Sequence, residues 1–432
     1  MSDTLVVLLG GRRIGTVNRD DRLRLKLVYD AGYLDDPRAT PLSVSMPLPV
    51  PEHGDDVVSP WLWGLLPDNA DVLARWATRF GTSAASAFSL LATQVGRDCA
   101  GAVQFCPPAE IDDLLVRPGS VDWLTESDVA ARLRELRSDT STWLGRGFTG
   151  QFSLGGAQAK TALRFAEGRW GVPSGSTPTT HILKPAIPGL DGHDLNEHLC
   201  LSAARRLGLP SARSEIVTFD DETALVVERY DRQWRDGASR RVHQEDLCQA
   251  MSIHPARKYQ AEGGPSALQI VQLFRTVMPR PQSTDSISRF VDGLILNWLI
   301  GGTDAHGKNY SLLLAGPAVR LAPLYDIASA LPYDDSKGHD LRLAMKLGGE
   351  YRLLSTDRRR AWEKVAIELD LNVDRVIDRV LDLAARLPEA LAAAAADPAV
   401  AALDSTLPAR LVSAASARAT RCARLVAHRP SA

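Results

Sequence analysis

No run of apolar residues in this chain approaches the roughly 20 that a bilayer-spanning helix needs. The opening stretch, Leu5-Val6-Val7-Leu8-Leu9, is too short for the core of a secretory leader, and no basic residue precedes it. The alanine-rich segment at 391–396 is broken by Asp397 and Pro398 and reads as a strong helix former. A cytoplasmic protein with no membrane partner is therefore expected. Cysteine is scarce too. The five thiols (Cys99, Cys106, Cys200, Cys248, Cys422) are scattered, and none has the Cys-x-x-Cys spacing of a zinc site or redox centre. Buried free thiols in a reducing compartment are expected. Net charge is almost absent. The 50 basic and 52 acidic residues leave −2, so the molecule as a whole has no generic attraction for nucleic acid. The rest is ordinary for a globular protein: 432 residues, 45% hydrophobic and 24% charged, enough for two or more domains with proper cores.

Residues 1–105 read as a β-rich amino-terminal subdomain. Leu5–Leu9, a Gly10-Gly11 turn and Arg13–Val17 suggest a hairpin, and Leu23–Tyr29 alternates as a half-buried strand should. Helices are expected over Asp71–Phe80, closed by Gly81, and over Ser83–Thr93. The glycines of Gly96-Arg97-Asp98-Cys99-Ala100-Gly101 suggest a turn before a last strand ending at Phe105. Residues 106–150 form a connecting helical region, its helix entered through Thr125-Glu126-Ser127-Asp128 with Thr125 or Ser127 as N-cap. Strand patterns then occupy 151–232, and the stretch 233–432 turns helical.

The chemistry concentrates in Gly302-Thr303-Asp304-Ala305-His306-Gly307-Lys308-Asn309, a tight loop after the apolar run Leu294–Ile300. Phosphoryl transfer needs a carboxylate for the nucleophilic hydroxyl, an amide and a second carboxylate for Mg²⁺, and a cation for the moving phosphoryl group. Asp304, Asn309, Asp326 and Lys308 supply that inventory, and the Asp-x-x-x-x-Asn spacing equals that of the protein-kinase catalytic loop. Taken alone, an Asp and an Asn near glycines also suit turns and caps. Upstream lies Ser153-Leu154-Gly155-Gly156-Ala157-Gln158-Ala159-Lys160, whose glycine pair lets backbone N–H groups approach phosphate oxygens. It lacks the Lys-Ser/Thr of the Walker pattern, and a plain hairpin turn fits it as well. Lys184, in the strand His181–Pro185, and Glu197, in a helix expected over 195–207, match the kinase clamp on the α/β-phosphates. A snorkelling lysine and a solvated glutamate are the alternative. Glu228-Arg229-Tyr230 follows a strand where a hinge would meet an adenine edge. Glycine loop, strand lysine, helix glutamate, hinge, catalytic loop and metal carboxylate occur in the order a phosphotransferase requires.

These motifs, together with Gln244-Glu245-Asp246-Leu247-Cys248-Gln249 and Gly96–Val103, resemble the HipA family of serine/threonine-kinase toxins from bacterial type II toxin–antitoxin systems. The resemblance covers nearly the whole chain. It implies an α+β, two-lobed protein-kinase-like fold with an extra β-rich amino-terminal subdomain (1–105), the connecting region 106–150, a nucleotide-binding N-lobe with its glycine loop (151–232) and an all-helical catalytic C-lobe (233–432). Asp304 and Lys308 would be catalytic, and Asn309 and Asp326 would hold Mg²⁺. ATP would meet Ser153, Leu154, Gly155, Gly156, Ala157, Lys184, Glu228, Tyr230 and His306, with Glu197, Gln158 and Lys160 in support. His306 belongs to the motif without a physical role beyond ordering the loop. Ser153 would be the autophosphorylation site, where about −1.5 to −2 charge would compete for the groups meant for ATP. A HipB-like helix-turn-helix antitoxin, operator DNA reached through it, and a protein substrate such as glutamyl-tRNA synthetase would be the partners. The chain departs from eukaryotic-type kinases: it has no His-Arg-Asp, Ile327-Ala328 follow Asp326, and no Ala-Pro-Glu segment occurs. Two rival readings are a small-molecule kinase of the aminoglycoside type and an inactive scaffold whose carboxy-terminal arginines (Arg410, Arg418, Arg421, Arg424, Arg429) reach DNA phosphates.

Overall fold

A computed structural model describes residues 3–145, 147, 149–187, 189–235 and 238–428. The chain forms two compact units that interleave in sequence. The first takes Met1–Pro185, Thr218–Ala256 and Ser311–Val319, and the second takes Ala186–Val217, Arg257–Tyr310 and Arg320–Ala432.

In the first unit, a five-stranded antiparallel sheet runs in the order Glu52–His53, Leu25–Tyr29, Arg12–Arg19, Thr4–Leu9, Val103–Cys106. Gly10 and Gly11 both sit at positive φ (60° and 80°), which a side chain resists, so the expected hairpin forms where two adjacent residues lack Cβ. Alternation sends Leu5, Val7, Val17 and Leu27 to one face, and a register shift opposite Val7 and Leu8 lets Ile14 join them, where Trp61 and Trp76 pack from the helices Asp55–Gly64 and Ala70–Phe80. The second helix is closed by Gly81 at φ 61°, as expected, and its start is capped by the Asn69 side chain, which the sequence reading did not single out. Its neighbour does not follow expectation. Helix covers only Ala87–Leu91, because Ser86 caps its start and Thr93 starts a separate 3-10 turn over Gln94–Arg97. Helix Asp55–Gly64 was not anticipated, since Pro60 interrupts its pattern.

A second sheet of this unit joins, in order, Glu222–Glu228, His181–Pro185, Thr161–Ala166, Arg169–Pro173 and Val121–Leu124. Helix Glu126–Ser138 packs on it through Val129, Ala130, Leu133 and Leu136. Thr125, not Ser127, is the N-cap, in a reciprocal box with Asp128.

The second unit is built on helix Arg280–Ile300, whose last eleven residues are buried on every side. Phe290 lies edge-on between Phe274 (5.9 Å) and Tyr310 (5.0 Å), and Trp298 meets Trp362 at 5.2 Å. Helix Val373–Ala395 packs against both Leu407–Ala427 and His193–Arg206.

The stretch from 233 is not all helix. Strands at Ala238–Arg241, His243–Asp246, Ser311–Ala315, Ala318–Leu321, Arg342–Leu347 and Glu350–Arg352 lie between its helices. They are short, and Ser311–Ala315 is a nearly unbroken apolar run buried on both faces, so two-residue alternation does not reveal it. All five cysteines are free and buried. Among the described residues, no helix is long and apolar enough to cross a membrane.

Candidate active site

The loop 302–309 starts at a helix stop. Gly301 adopts φ 64° and ends helix Arg280–Ile300, and the Gly302 N–H donates to the Asn297 carbonyl (2.7 Å). Asn297 itself is held by donation to the Gly293 carbonyl (2.9 Å). The chain then folds back on itself. The His306 N–H donates to the Asp304 carbonyl (2.8 Å), the Asn309 N–H to the His306 carbonyl (2.9 Å), and Asn309 Nδ2 to the Asp304 carbonyl (2.7 Å). The Asp304 side chain is left 66% exposed, while His306, Lys308 and Asn309 are buried. Because Asn309 Nδ2 is spent on the backbone, its Oδ1 is the atom open to a cation.

Asp326 reaches this loop through its neighbour: Tyr325 Oη donates to the Lys308 carbonyl (2.6 Å), one residue before Asn309. Asp326 has φ 55°, a left-handed conformation that Asp tolerates better than most side chains. The segment is pinned on its far side by Ser329. That residue exchanges two hydrogen bonds with Asn196 (2.9 and 2.7 Å) and donates from Oγ to the Ile300 carbonyl (2.5 Å). Asn196 lies beside Glu197 in helix His193–Arg206, and Glu197 is 1% exposed. The second unit thus brings together Asp304, His306, Lys308, Asn309, Asp326 and the helix of Glu197.

The first unit collects the remaining candidates. Phe152–Ser153 pairs in parallel with Asp98–Cys99, and Ser153 is fully buried, its Oγ donating to the Leu65 carbonyl (2.8 Å). Leu154 inserts into the core, Gly155 and Gly156 are half-buried, and Ala157 is exposed. Gly156 has φ 97°, a conformation that favours glycine, and lies against the Lys160 ammonium. Lys160 Nζ donates to the Gly155 carbonyl (2.8 Å) and stands over the Trp143 ring at 4.5 Å, folding the loop over its own base. Strand parity places Ala162, Ile182 and Lys184 on one face of the sheet, and Ala162 and Ile182 there join the cluster that includes Leu154. Lys184 is buried, so the snorkelling and solvated readings of Lys184 and Glu197 both fall.

Glu228 ends its strand exposed, and half-buried Tyr230 donates its hydroxyl to Gln244. Between and after them lies what sequence reading missed. Arg229 and Arg232 turn inward, and with Arg241 they surround Asp98 and Asp231. Arg229 Nη2 reaches Asp231 at 2.8 Å, and Arg232 and Arg241 reach Asp98 at 2.9 and 3.0 Å. Thr179 gives Asp98 two more hydrogen bonds, at 3.0 and 2.7 Å. Burial pushes the Asp98 carboxyl up, but the three guanidinium groups outweigh it and hold it far below the usual carboxylate range. The segment read as a hinge is therefore riveted to the segment that closes the first sheet.

Tyr259 was also missed: its phenol donates to Asp304 Oδ1 from 45 positions upstream. Three of the carboxy-terminal arginines are committed to partners within the chain. Arg418 is buried on Asp357 (2.9 and 2.6 Å), Arg421 shares that carboxylate, and Arg410 donates to the Pro332 carbonyl. Arg424 is exposed, and Arg429 lies outside the described residues.

A glycine loop and strand lysine on one unit, with an Asp-x-x-x-Lys-Asn loop and a later Asp on the other, define a chain of the protein-kinase-like class. Comparison with known proteins narrows this. Residues 5–106 match the HipA N-terminal domain and residues 152–391 the HipA-like C-terminal domain. The chain belongs to the HipA family. A Sinorhizobium fredii protein named "Putative kinase Y4mE" is 35% identical over 368 residues, 85% of this chain and 86% of that one. The serine/threonine-protein kinase toxin HipA of Shewanella oneidensis is 27% identical over 362 residues, 81% of this chain and 79% of that one. A solved complex of HipA, HipB and operator DNA from the same organism contains a chain that superposes with a TM-score of 0.82 at 26% identity, covering 97% of both chains.

Proposed function

We propose that this protein is an ATP- and Mg²⁺-dependent serine/threonine protein kinase acting as a cytoplasmic toxin. The observation that carries the reading is the 304–309 loop, folded by its own hydrogen bonds so that Asp304 faces solvent and the Asn309 oxygen is free of the backbone.

Asp304 accepts the proton of the acceptor hydroxyl as its oxygen attacks the γ-phosphorus, and the bond from that phosphorus to the ADP oxygen breaks. Lys308 and Lys184 supply positive charge for the phosphate oxygens, and Asn309 and Asp326 would hold a magnesium ion. That ion, when bound, neutralises charge building on the β/γ-phosphates. The donor set fits it: one carboxylate and one amide oxygen, completed by phosphate and water, is a usual magnesium arrangement. On the nucleotide side, Gln158 Nε2 is buried with no hydrogen-bond partner among the described residues, a donor in the glycine loop suited to a phosphate oxygen. Leu154, Gly155, Gly156 and Ala157 give backbone donors, Glu228 and Tyr230 meet the adenine, and Glu197 and Lys160 support.

Self-inactivation follows from the burial of Ser153. Its hydroxyl touches the Leu65 carbonyl, so a phosphate there cannot be housed and the strand pairing of Phe152–Ser153 must open. The partners are a HipB-like antitoxin, operator DNA through that antitoxin, and a translation component such as glutamyl-tRNA synthetase. The Shewanella oneidensis complex and toxin support the antitoxin by likeness.

The test is γ-labelled ATP with lysate, wild type against Asp304→Ala, with mass spectrometry of both the labelled band and the kinase. Transfer that disappears in the variant, with phosphate on Ser153 of the wild type, supports the proposal. Label that persists in Asp304→Ala refutes the chemistry, and phosphate elsewhere but not on Ser153 refutes the self-inactivation.

A further inference from the structure

The loop motif by itself gives His306 no task, and the fold supplies one. The Tyr259 phenol donates to Oδ1 of Asp304, and its ring stands edge-on to the His306 imidazole at 4.9 Å and 87°. His306 Nε2 is 3.9 Å from the same oxygen. The segment carrying Tyr259 is fixed. Its carbonyl accepts from Glu262 N–H (2.9 Å) and Gly264 N–H (2.8 Å), and the Lys258 carbonyl accepts from Gly307 N–H (3.2 Å) within the catalytic loop. Asp304, by contrast, is the most exposed of the loop's polar side chains. A carboxylate on an exposed loop samples several rotamers, whereas proton abstraction needs it within about 0.5 Å of one geometry.

We infer that Tyr259 is a positioning residue for Asp304: it occupies Oδ1 and so presents Oδ2 to the acceptor hydroxyl, while His306 acts through it by bracing the phenol ring. This deepens the kinase reading and rests on it. The remote tyrosine adds a side-chain donor at the one carboxylate of the 302–309 loop.

Tyr259→Phe keeps the ring against His306 and removes only the donor. Steady-state phosphate release from Mg-ATP, and transfer to a peptide of residues 147–160, give kcat and KM. The expected result is a fall in kcat of about tenfold, the worth of one hydrogen bond to a charged group, with KM for ATP and for peptide unchanged. His306→Ala should lower kcat by a similar factor, and the double variant should be no worse than the single ones, because both changes act on one orientation. Unfolding midpoints are measured alongside. Wild-type kcat in Tyr259→Phe overturns the inference, as does a rise in either KM that accounts for the loss. If Tyr259→Phe does not fold, the His306→Ala split between kcat and KM decides in the same way. Asp304→Ala separates the two levels. If it is inactive while Tyr259→Phe is unaffected, only the role of Tyr259 fails; if it is active, the kinase reading fails with it.

Discussion

Asp98 accepts from Arg232, Arg241, Arg229 and Thr179 in a place that water does not reach. Removing one partner from such a set leaves a charge uncompensated, which costs more than the pair contributes when intact. Arg232→Met should therefore destabilise the first unit by about 3–5 kcal/mol, measured as a lower urea midpoint. An unchanged midpoint would show that Arg229 and Arg241 suffice. At this scale the sequence was legible wherever function crowds into a few consecutive positions. Asp304, Lys308 and Asn309 announce themselves by spacing, and Gly156 by its need for positive φ. Asp98 and Arg229 sit inside quoted motifs, but their partnership spans 131 positions, and the identity of a charged residue says nothing of whether it faces inward. Tyr259 gave no signal at all. It is a lone tyrosine in an irregular stretch, and only folding delivers it to Asp304.

Elements were readable where caps and periodicity agree. Helix Ala70–Phe80 has an Asn at its start, a glycine at its end and one apolar face, and it forms where expected. The segment 83–93 has the composition of a helix, yet two hydroxyl side chains, Ser86 and Thr93, each start a separate short turn by accepting nearby N–H groups. Strands His243–Asp246 and Ser311–Ala315 escaped because both their faces are largely covered, which erases alternation, and Ala318–Leu321 and Glu350–Arg352 because they are only three or four residues long. One element joins fold to chemistry. Helix Arg280–Ile300 must stop at Gly301 for the 302–309 loop to leave in the direction it takes. A methyl group there would sit at φ 64° and 2.9 Å from the Leu331 side chain. Gly301→Ala should cost about 1–2 kcal/mol, seen as a lower urea midpoint, and should lower kcat more than KM for ATP by tilting Asp304. A variant with wild-type kcat and a lowered midpoint would uncouple the helix stop from the loop.

Across the whole molecule, burial holds the imidazoles of His181, His198 and His243 down to about 4 from an ordinary 6.5. In the unfolded chain they gain protons below about pH 6.5, whereas in the native protein they resist until about 4, so the unfolded state binds more protons in between. Stability is fully present above pH 6.5 and declines as pH falls towards 4, by on the order of 3 kcal/mol for each of the three. Glu245, pushed up to about 7 by burial despite its bonds from Val44 and Trp61, works the other way, favouring the fold below pH 4.5 and losing that contribution as pH rises towards 7. The histidines outnumber it, so urea midpoints should fall between pH 7 and pH 5, and His243→Gln should flatten the slope. The two-part organisation was only partly visible in the sequence, because the chain passes from one unit to the other five times and composition does not change at those crossings. The first unit has a further property. Leu136, Trp143, Leu144, Phe152, Leu154 and Ala162 complete one core with Leu5, Val7, Trp61 and Trp76, while the five strands of the first sheet are all in place by Cys106. A gene cut shortly after that codon would yield a small polypeptide with its sheet intact and a large one with a bare apolar wall. The two fragments should stay in solution only when produced together, which co-expression against separate expression would check.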